Sequence, residues 1–313
     1  MDNLTHSLVG AVLGRAGLKR LTPRAMPALI LSANLPDVDS FVARGFGCDP
    51  LAAHRGFTHG LGGLVTMPFV AAAIIWLYER LRPGKEGPLK LRGLLLACFL
   101  GTLSHPLLDF LNTYGTRLAE PFSNRWFYGD TLFIIDPWIW VMLILGLELS
   151  WRAERRGREW TGPALWAGAA VLGYIALNAA ISLRAVAVTR PLVERVVRPD
   201  MIVAGEIPLA FWKRRMIWRG EGLGGAGAYN VLEGLNHARL EREIVPLRLE
   251  DPRLAATAKR NPHVRAFLFW SRMPMVVVDG RRAFLTDQRF YENRRRIRAT
   301  PFLIPLDNRG SSS

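Results

Sequence analysis

The sequence predicts an α-helical, multi-pass membrane domain followed by a small, mainly β extracytoplasmic domain. Three observations carry that reading: apolar runs of membrane length, basic loops that alternate with them, and a change of character near residue 185, after which no span-length apolar run recurs. The predicted boundaries are 1–184 for the membrane domain, 185–306 for the soluble domain and 307–313 for a tail. Half of the 313 residues are hydrophobic, and the mean hydropathy is +0.13. Several runs reach the roughly 18 to 20 residues needed to cross an apolar core about 30 Å thick. The formal charge of +15 would point a soluble chain toward nucleic acid, yet no nucleic-acid-binding signature accompanies it. Basic loops are what a membrane protein sets against anionic headgroups, so membrane lipid is the expected acidic partner and nucleic acid is not. The two cysteines, Cys48 and Cys98, exclude a Cys₄ site and a disulfide framework.

The elements follow in chain order. Residues 4–20 read as a short helix with Asn3 or Thr5 as its cap and with Gly10, Ala11, Gly14 and Ala16 available for close packing. After Leu21-Thr22-Pro23, residues 24–35 form a second short apolar segment, and the pair reads as a tight helical hairpin. Residues 40–59 read as a loop, and apolar spans are expected over 60–78, 91–111, 131–149 and 163–183. Asp136, ahead of Pro137 in the third of these spans after the loop, is open to two readings: a cap that shortens the helix, or a partner for another polar group at membrane depth. In the C-terminal part, Ala210 to Arg219, Tyr229 to Leu232, Phe267 to Trp270 and Met275 to Val278 are β-like runs, and Gly220 to Gly227 is turn-rich. Arg294-Arg295-Arg296 reads as a solvated or lipid-facing charge run. No internal repeat is visible. The start, Met1 to His6, lacks the basic residues of a cleaved signal peptide, so the first helix is expected to be retained.

Positive charge stays on the cytoplasmic side of short loops. The connections at 15–24, 80–92 and 152–158 are basic and alternate correctly, which places the 36–59 and 112–130 loops and everything after about residue 184 outside. Residues 185–313 hold 23 Lys and Arg against 13 Asp and Glu, a formal +10, which long translocated domains tolerate.

Three short segments then gather at that outer end: Pro36-Asp37-Val38-Asp39, His54-Arg55-Gly56-Phe57-Thr58-His59 and Ser104-His105-Pro106-Leu107-Leu108-Asp109. Imidazole nitrogen and carboxylate oxygen suit Zn²⁺ and its borderline neighbours, so the coincidence reads as a metal site at a membrane face. His105 and Asp109, four apart, share one helix face. His54 and His59 are five apart, about 140° out of phase on an ideal helix, so they converge only if His54 stays in the loop while His59 enters the next helix. Asp37 and Asp39 point the same way if the backbone is extended. Arg55 is suited either to a substrate phosphate or to orienting Asp37 or Asp39. Thr58 reads as a cap, and His237 and His263 receive no role.

At these residues the chain resembles the membrane-bound metal-dependent hydrolases of bacterial inner membranes. The resemblance rests on Asn3 and His6, the Asp37-Val38-Asp39 pair, and the boxes His54 to His59 and His105 to Asp109, with a weaker likeness around Pro208, Trp212, Arg289 and Tyr291. It implies an inner-membrane protein, a member that carries an extra C-terminal domain, and a ligand set of His6, Asp37, Asp39, His54, His59, His105 and Asp109, while the charge count above places that domain in the periplasm. That count leaves room for two metals or for carboxylates that orient imidazoles.

The resulting expectation is metal-assisted hydrolysis at the outer face, with Zn²⁺ first and Mn²⁺ second, on a lipid or lipid-linked ester, a phosphoester above others. Asp39 or Asp109 is the expected base and Arg55 the substrate contact. Two other classes fit parts of the pattern. A metal or ion transporter would spread such groups across the depth of several spans, and a non-catalytic envelope protein would use metal only to staple its outer loops.

Overall fold

The computed structural model describes residues 1–291 and 300–306. The Arg294-Arg295-Arg296 run and the 307–313 tail lie outside the described residues. The chain divides into two compact units: Met1–Val42 with His54–Ala180 and Pro208–Phe211, and Ala43–Ala53 with Ile181–Ile207 and Trp212–Ser313.

The first unit is helical. Helix α1 (Asn3–Arg15) begins at Asp2, whose carboxylate accepts from the backbone N–H of Leu4 and Thr5, so the cap is neither Asn3 nor Thr5. Helix α2 (Ala25–Asn34) folds back on α1, and the Asn34 amide donates to Ser7 Oγ at 3.0 Å to fasten the hairpin. Two short helices, α3 (Asp39–Gly45) and α4 (Pro50–Ala53), occupy the segment read from sequence as loop. Then follow α5 (Leu61–Leu81), α6 (Leu91–Phe110), α7 (Pro137–Arg155) and α8 (Thr161–Val193).

Helix α2 is the hub of this unit. Ala25, Ala28 and Leu29 pack with Ala71, Ala72 and Ile75 of α5 and with Leu94, Ala97 and Cys98 of α6. Val12 of α1 closes a second cluster with Leu108, Ile139, Leu143 and Val171. Small residues set the approach, as expected for helices associating in lipid. A Cβ on Gly10 would lie 2.9 Å from the Leu29 carbonyl oxygen and 3.0 Å from Ile30 Cα.

Three helices among the described residues are long and apolar enough to cross a membrane: α5, α6 and α8. Val65, Phe69 and Leu77 on α5 and Trp166, Leu172 and Leu177 on α8 are exposed, which suits lipid rather than water. Helix α7, expected to cross, is not among the three. Asp136 caps it through the N–H groups of Trp138 and Ile139, so it starts only at Pro137, and its far end carries Glu148, Arg152, Glu154 and Arg155. Asp136 also accepts from the Tyr174 hydroxyl at 3.1 Å, so both readings of this residue hold together.

The second unit holds a four-stranded antiparallel sheet in the order β1 (Met201–Glu206), β2 (Lys213–Gly220), β3 (Leu223–Asn230) and β4 (Ala238–Pro246). Helices α9 (Pro252–Arg260) and α10 (Pro262–Trp270) follow, then a three-stranded sheet of β5 (Pro274–Asp279), β6 (Arg282–Asp287) and β7 (Ile304–Pro305). Phe267 to Trp270, expected as strand, closes α10 instead, because Asn261 caps a helix that has Pro262 at its first position. The glycine-rich stretch after Gly220 is a turn only at Glu221-Gly222, where φ is +54° and +75°, and is strand beyond it. Glycine at 225 is required there, since a side chain would collide with the buried Trp218 ring.

Replacing Gly10 by leucine forces α1 off α2 at a backbone contact, and overpacking of this kind costs about 1–3 kcal/mol. The expected result is a lowered Tm of the detergent-solubilised protein by scanning fluorimetry, already visible in Gly10→Ala, whose Cβ meets the α2 backbone, and larger in Gly10→Leu.

Candidate metal centre

Two breaks in the helical hairpin and one helix end bring the site together. A 3₁₀ turn over Leu35–Val38, started by Pro36, ends α2 and presents Asp37, and Asp39 opens α3. A second 3₁₀ turn, Phe57–His59, leads into α5 and presents His59. Helix α6 supplies His105 and Asp109 from one face of its last turns. His59, His105 and Asp109 are fully buried.

Four donor atoms converge. His59 Nε2 lies 3.0 Å from His105 Nε2, 3.4 Å from Asp37 Oδ1 and 3.3 Å from Asp109 Oδ2. His105 Nε2 lies 3.4 Å from Asp37 Oδ1 and 3.7 Å from Asp109 Oδ2. Donors held about 2.1 Å from one ion stand roughly 3.0 Å apart at octahedral angles and 3.4 Å apart at tetrahedral ones, so the spacing fits a single cation.

The groups behind these donors point the same way. His105 Nδ1 donates to the Ala33 carbonyl at 2.6 Å, which leaves Nε2 with its lone pair inward. His59 Nδ1 faces Asp39 Oδ2 at 3.3 Å, and Thr58 Oγ1 donates to that same oxygen at 2.8 Å. Backing of a ligand imidazole by a carboxylate or a carbonyl is the usual outer shell of a metal site. With both rings so held, two nitrogen lone pairs and two carboxylate oxygens face one another, and only a cation or added protons reconciles them. Where protons serve, burial would raise the Asp37 carboxyl, but hydrogen bonds from His105 and His59 outweigh it and hold the group well below the usual carboxylate range. Asp37 is therefore ionised and ready to ligate.

The remaining sequence-derived candidates take other places. Asp39 accepts from His54 Nδ1 at 2.8 Å, Thr58 Oγ1 at 2.8 Å, the Arg55 N–H at 3.1 Å and Ser40 Oγ at 3.3 Å, so it organises the 54–59 loop. Burial pushes its pKa up while hydrogen bonds from His54 and His59 pull it down further, leaving it well below the usual range. Asp39, His54 and His59 also form a second group of potential donors that shares His59 with the first. His54 is the site's open histidine, with one third of its side chain exposed. His6 lies outside both donor groups. Its ring stacks on His105 with centroids 3.8 Å apart, and its Nε2 is 3.5 Å from Asp109 Oδ1.

Arg55, at φ +60°, is buried and turned inward. Its Nε is 3.2 Å from Asp109 Oδ2, and its Nη1 donates to Asn112 Oδ1 at 2.8 Å and to the Gly115 carbonyl at 3.3 Å. It therefore orients Asp109, where the sequence suggested Asp37 or Asp39, and its guanidinium is already engaged. Burial lowers its pKa to about 10, so it stays cationic at neutral pH. Gly56 lets the Arg117–Glu120 pair press against this loop, since a Cβ there would collide with the Arg117 guanidinium and lie 2.7 Å from Glu120 Oε2. Asn112, Ser40 and Arg117 were not singled out in the sequence. Asn112 carried a signal, being three residues beyond Asp109 at the end of an apolar run.

Fold and site together define a membrane protein with a buried His/Asp cluster that can hold a metal ion. The chain belongs to the YdjM inner membrane protein family, which matches residues 1–185. It is also similar to the uncharacterized protein YfhP of Bacillus subtilis (strain 168), at 26% identity over 159 residues, 48% of this chain and 46% of the relative. The match thus spans about half the length of that curated relative. No solved structure matches the chain.

Removing a hydrogen-bonded buried carboxylate leaves its donors unpaired, at about 1–3 kcal/mol each. Asp39→Ala is expected to loosen the 54–59 loop and weaken retention of a bound divalent ion at least about tenfold, with Asp39→Asn intermediate. Competition with a fluorescent chelator measures this.

Proposed function

We propose that the protein is a membrane-bound, metal-dependent hydrolase acting at the outer face of the inner membrane on a lipid or lipid-linked ester. The observation that carries this is the convergence of His59 Nε2, His105 Nε2, Asp37 Oδ1 and Asp109 Oδ2, all within 3.7 Å of one another along the measured edges, at the end of a membrane-length helix. The depth supports a lipid substrate. Helix α6 has 20 residues, about 30 Å of rise, which places His105 roughly 7 Å and Asp109 roughly 2 Å inside its end. Such positions lie near the edge of an apolar core about 30 Å thick, within reach of the ester linkages that border it. The alternation of basic loops supports the outer face and a periplasmic C-terminal domain.

Asp37, His59, His105 and Asp109 would hold the ion, which supplies an activated water and polarises the scissile bond. Four protein donors fill a tetrahedral ion but leave two positions at an octahedral one, so the donor count favours Mn²⁺ over Zn²⁺ for catalysis. Asp39, tied to four donors, is a poor base, and Asp109 is neutralised by Arg55. His54 is the better candidate to accept the proton, with Nδ1 fixed by Asp39 and Ser40 and Nε2 left open. With Arg55 engaged, the site has lost its candidate phosphate contact, and a carboxylic ester suits it as well as a phosphoester.

The full set of four donors also suits a structural ion, the second reading. Elemental analysis and turnover separate the two. Wild type is expected to carry about one equivalent of transition metal, His59→Ala and His105→Ala to lose it, and His54→Ala to keep it while losing turnover on lipid ester or phosphoester substrates. Affinity should fall as pH drops and protons compete for the imidazoles. Metal-loaded protein that hydrolyses none of these lipids, and merely unfolds on chelation, overturns the enzyme reading in favour of the structural ion.

A further inference from the structure

His263, one of two histidines to which the sequence assigns no role, holds the loop that joins two supports of the metal centre. Asp39 and His54 meet at 2.8 Å and close a compact loop between them. Residues 43–53 of that loop belong to the same compact unit as the C-terminal sheets. There α4 packs against α10. Asp49 caps α4 by accepting from the Leu51 N–H at 2.9 Å, and its other oxygen is 2.5 Å from His263 Nδ1. His263 is itself fixed, because its N–H donates to the α10 cap Asn261 at 2.9 Å. The loop has little apolar anchorage elsewhere: Phe41 and Phe46 are 73% and 83% exposed.

We propose that His263 is a positioning residue for the metal centre: by gripping Asp49, the C-terminal domain holds the 43–53 loop and so seats Asp39 against His54, Thr58 and the Arg55 N–H. The domain is thereby a clamp on the site. This rests on the reading of Asp39 as organiser of the 54–59 loop, and its test is independent of bound metal.

The test uses the full chain in detergent. Cys48, exposed beside Asp49, reports the loop through its alkylation rate with a water-soluble maleimide, while Cys98 is buried and silent. Hydrogen–deuterium exchange over 54–60 reports the site, where the Arg55, His59 and Gly60 amides are bonded to Asp39 and Gly56. His263→Ala should raise both rates about two- to fivefold, the range commanded by an exposed ion pair of roughly 0.5–1 kcal/mol. His263→Glu, which sets two carboxylates together, should raise them further, and His263→Gln should stay near wild type. Asp49→Asn probes the same bond from the other side and guards against a variant that loses its fold. Unchanged alkylation in both His263→Ala and His263→Glu overturns the clamp, and so does faster alkylation with unchanged exchange over 54–60. Protein that carries no metal would sink the proposed function and leave these readouts intact.

Discussion

Four donor atoms pressed together in a buried pocket are the constraint on which the membrane unit depends. Two are carboxylate oxygens, of Asp37 and Asp109, and two are the Nε2 atoms of His59 and His105. Their outward sides are spoken for, by Ala33, Asp39 and Arg55, so the rings cannot turn away. Asp37, Asp39 and Asp109 stand against Arg55 and the Met1 amino group, which pairs with Asp109 Oδ1, so one carboxylate more than the cations lies among the imidazoles. Uncompensated charge of that size is costly in a buried site. A bound metal ion would offset it.

The helices around the cluster show how such a site is tolerated at membrane depth. An unbroken pair of spans would bury its backbone polar groups and leave no turn at which to place Asp37. Instead α1 and α2 are short, and α2 stops at a 3₁₀ turn. Irregular backbone at that depth is stable only when protein surrounds it, and α5 and α6 provide the cover. Close approach makes the cover complete: Gly101 of α6 leaves room for the Ser32 hydroxyl, and a Cβ there would be 2.7 Å from the Leu29 carbonyl. Packing of small residues and chemistry of the site are thus one design.

The membrane character and the two His-containing boxes are legible because both are local signals. Apolar runs announce α5, α6 and α8, and the i, i+4 spacing of His105 and Asp109 announces a shared face. What was not legible depends on tertiary partners. Nothing in His54-Arg55-Gly56-Phe57-Thr58-His59 says that His59 faces the centre while His54 faces Asp39, because the 3₁₀ turn and Gly56 decide it. Arg55 sits one residue from His54 yet reaches Asp109 from the far side of the fold, through a positive φ that sequence does not announce. The four-residue run Phe267 to Trp270 is too short for periodicity to assign, and the deciding signal was Asn261-Pro262 upstream. The span expected over 131–149 is displaced to Pro137–Arg155, because the Asp136 cap sets where the helix starts and hydropathy cannot see a cap.

The three carboxylates divide the labour by what surrounds them, and on the proposed function that division moves the role of base from Asp39 or Asp109 to His54. A carboxylate's basicity falls with each hydrogen bond that stabilises its charged form. Asp39 accepts four such bonds and is held far below the ordinary range, so at neutral pH it has little affinity for a further proton. Asp109 shares its inner oxygen between the centre and the Arg55 guanidinium, which stabilises its charge in the same way. Asp37 is committed to the imidazoles that it faces. None of the three is both unengaged and open to solvent. His54 differs in that only its Nδ1 is engaged, by Asp39 and Ser40, while a third of its side chain is exposed. An imidazole whose one nitrogen is pinned by a carboxylate is oriented to accept a proton at the other, so on the proposed function the Asp39–His54 contact would align the base.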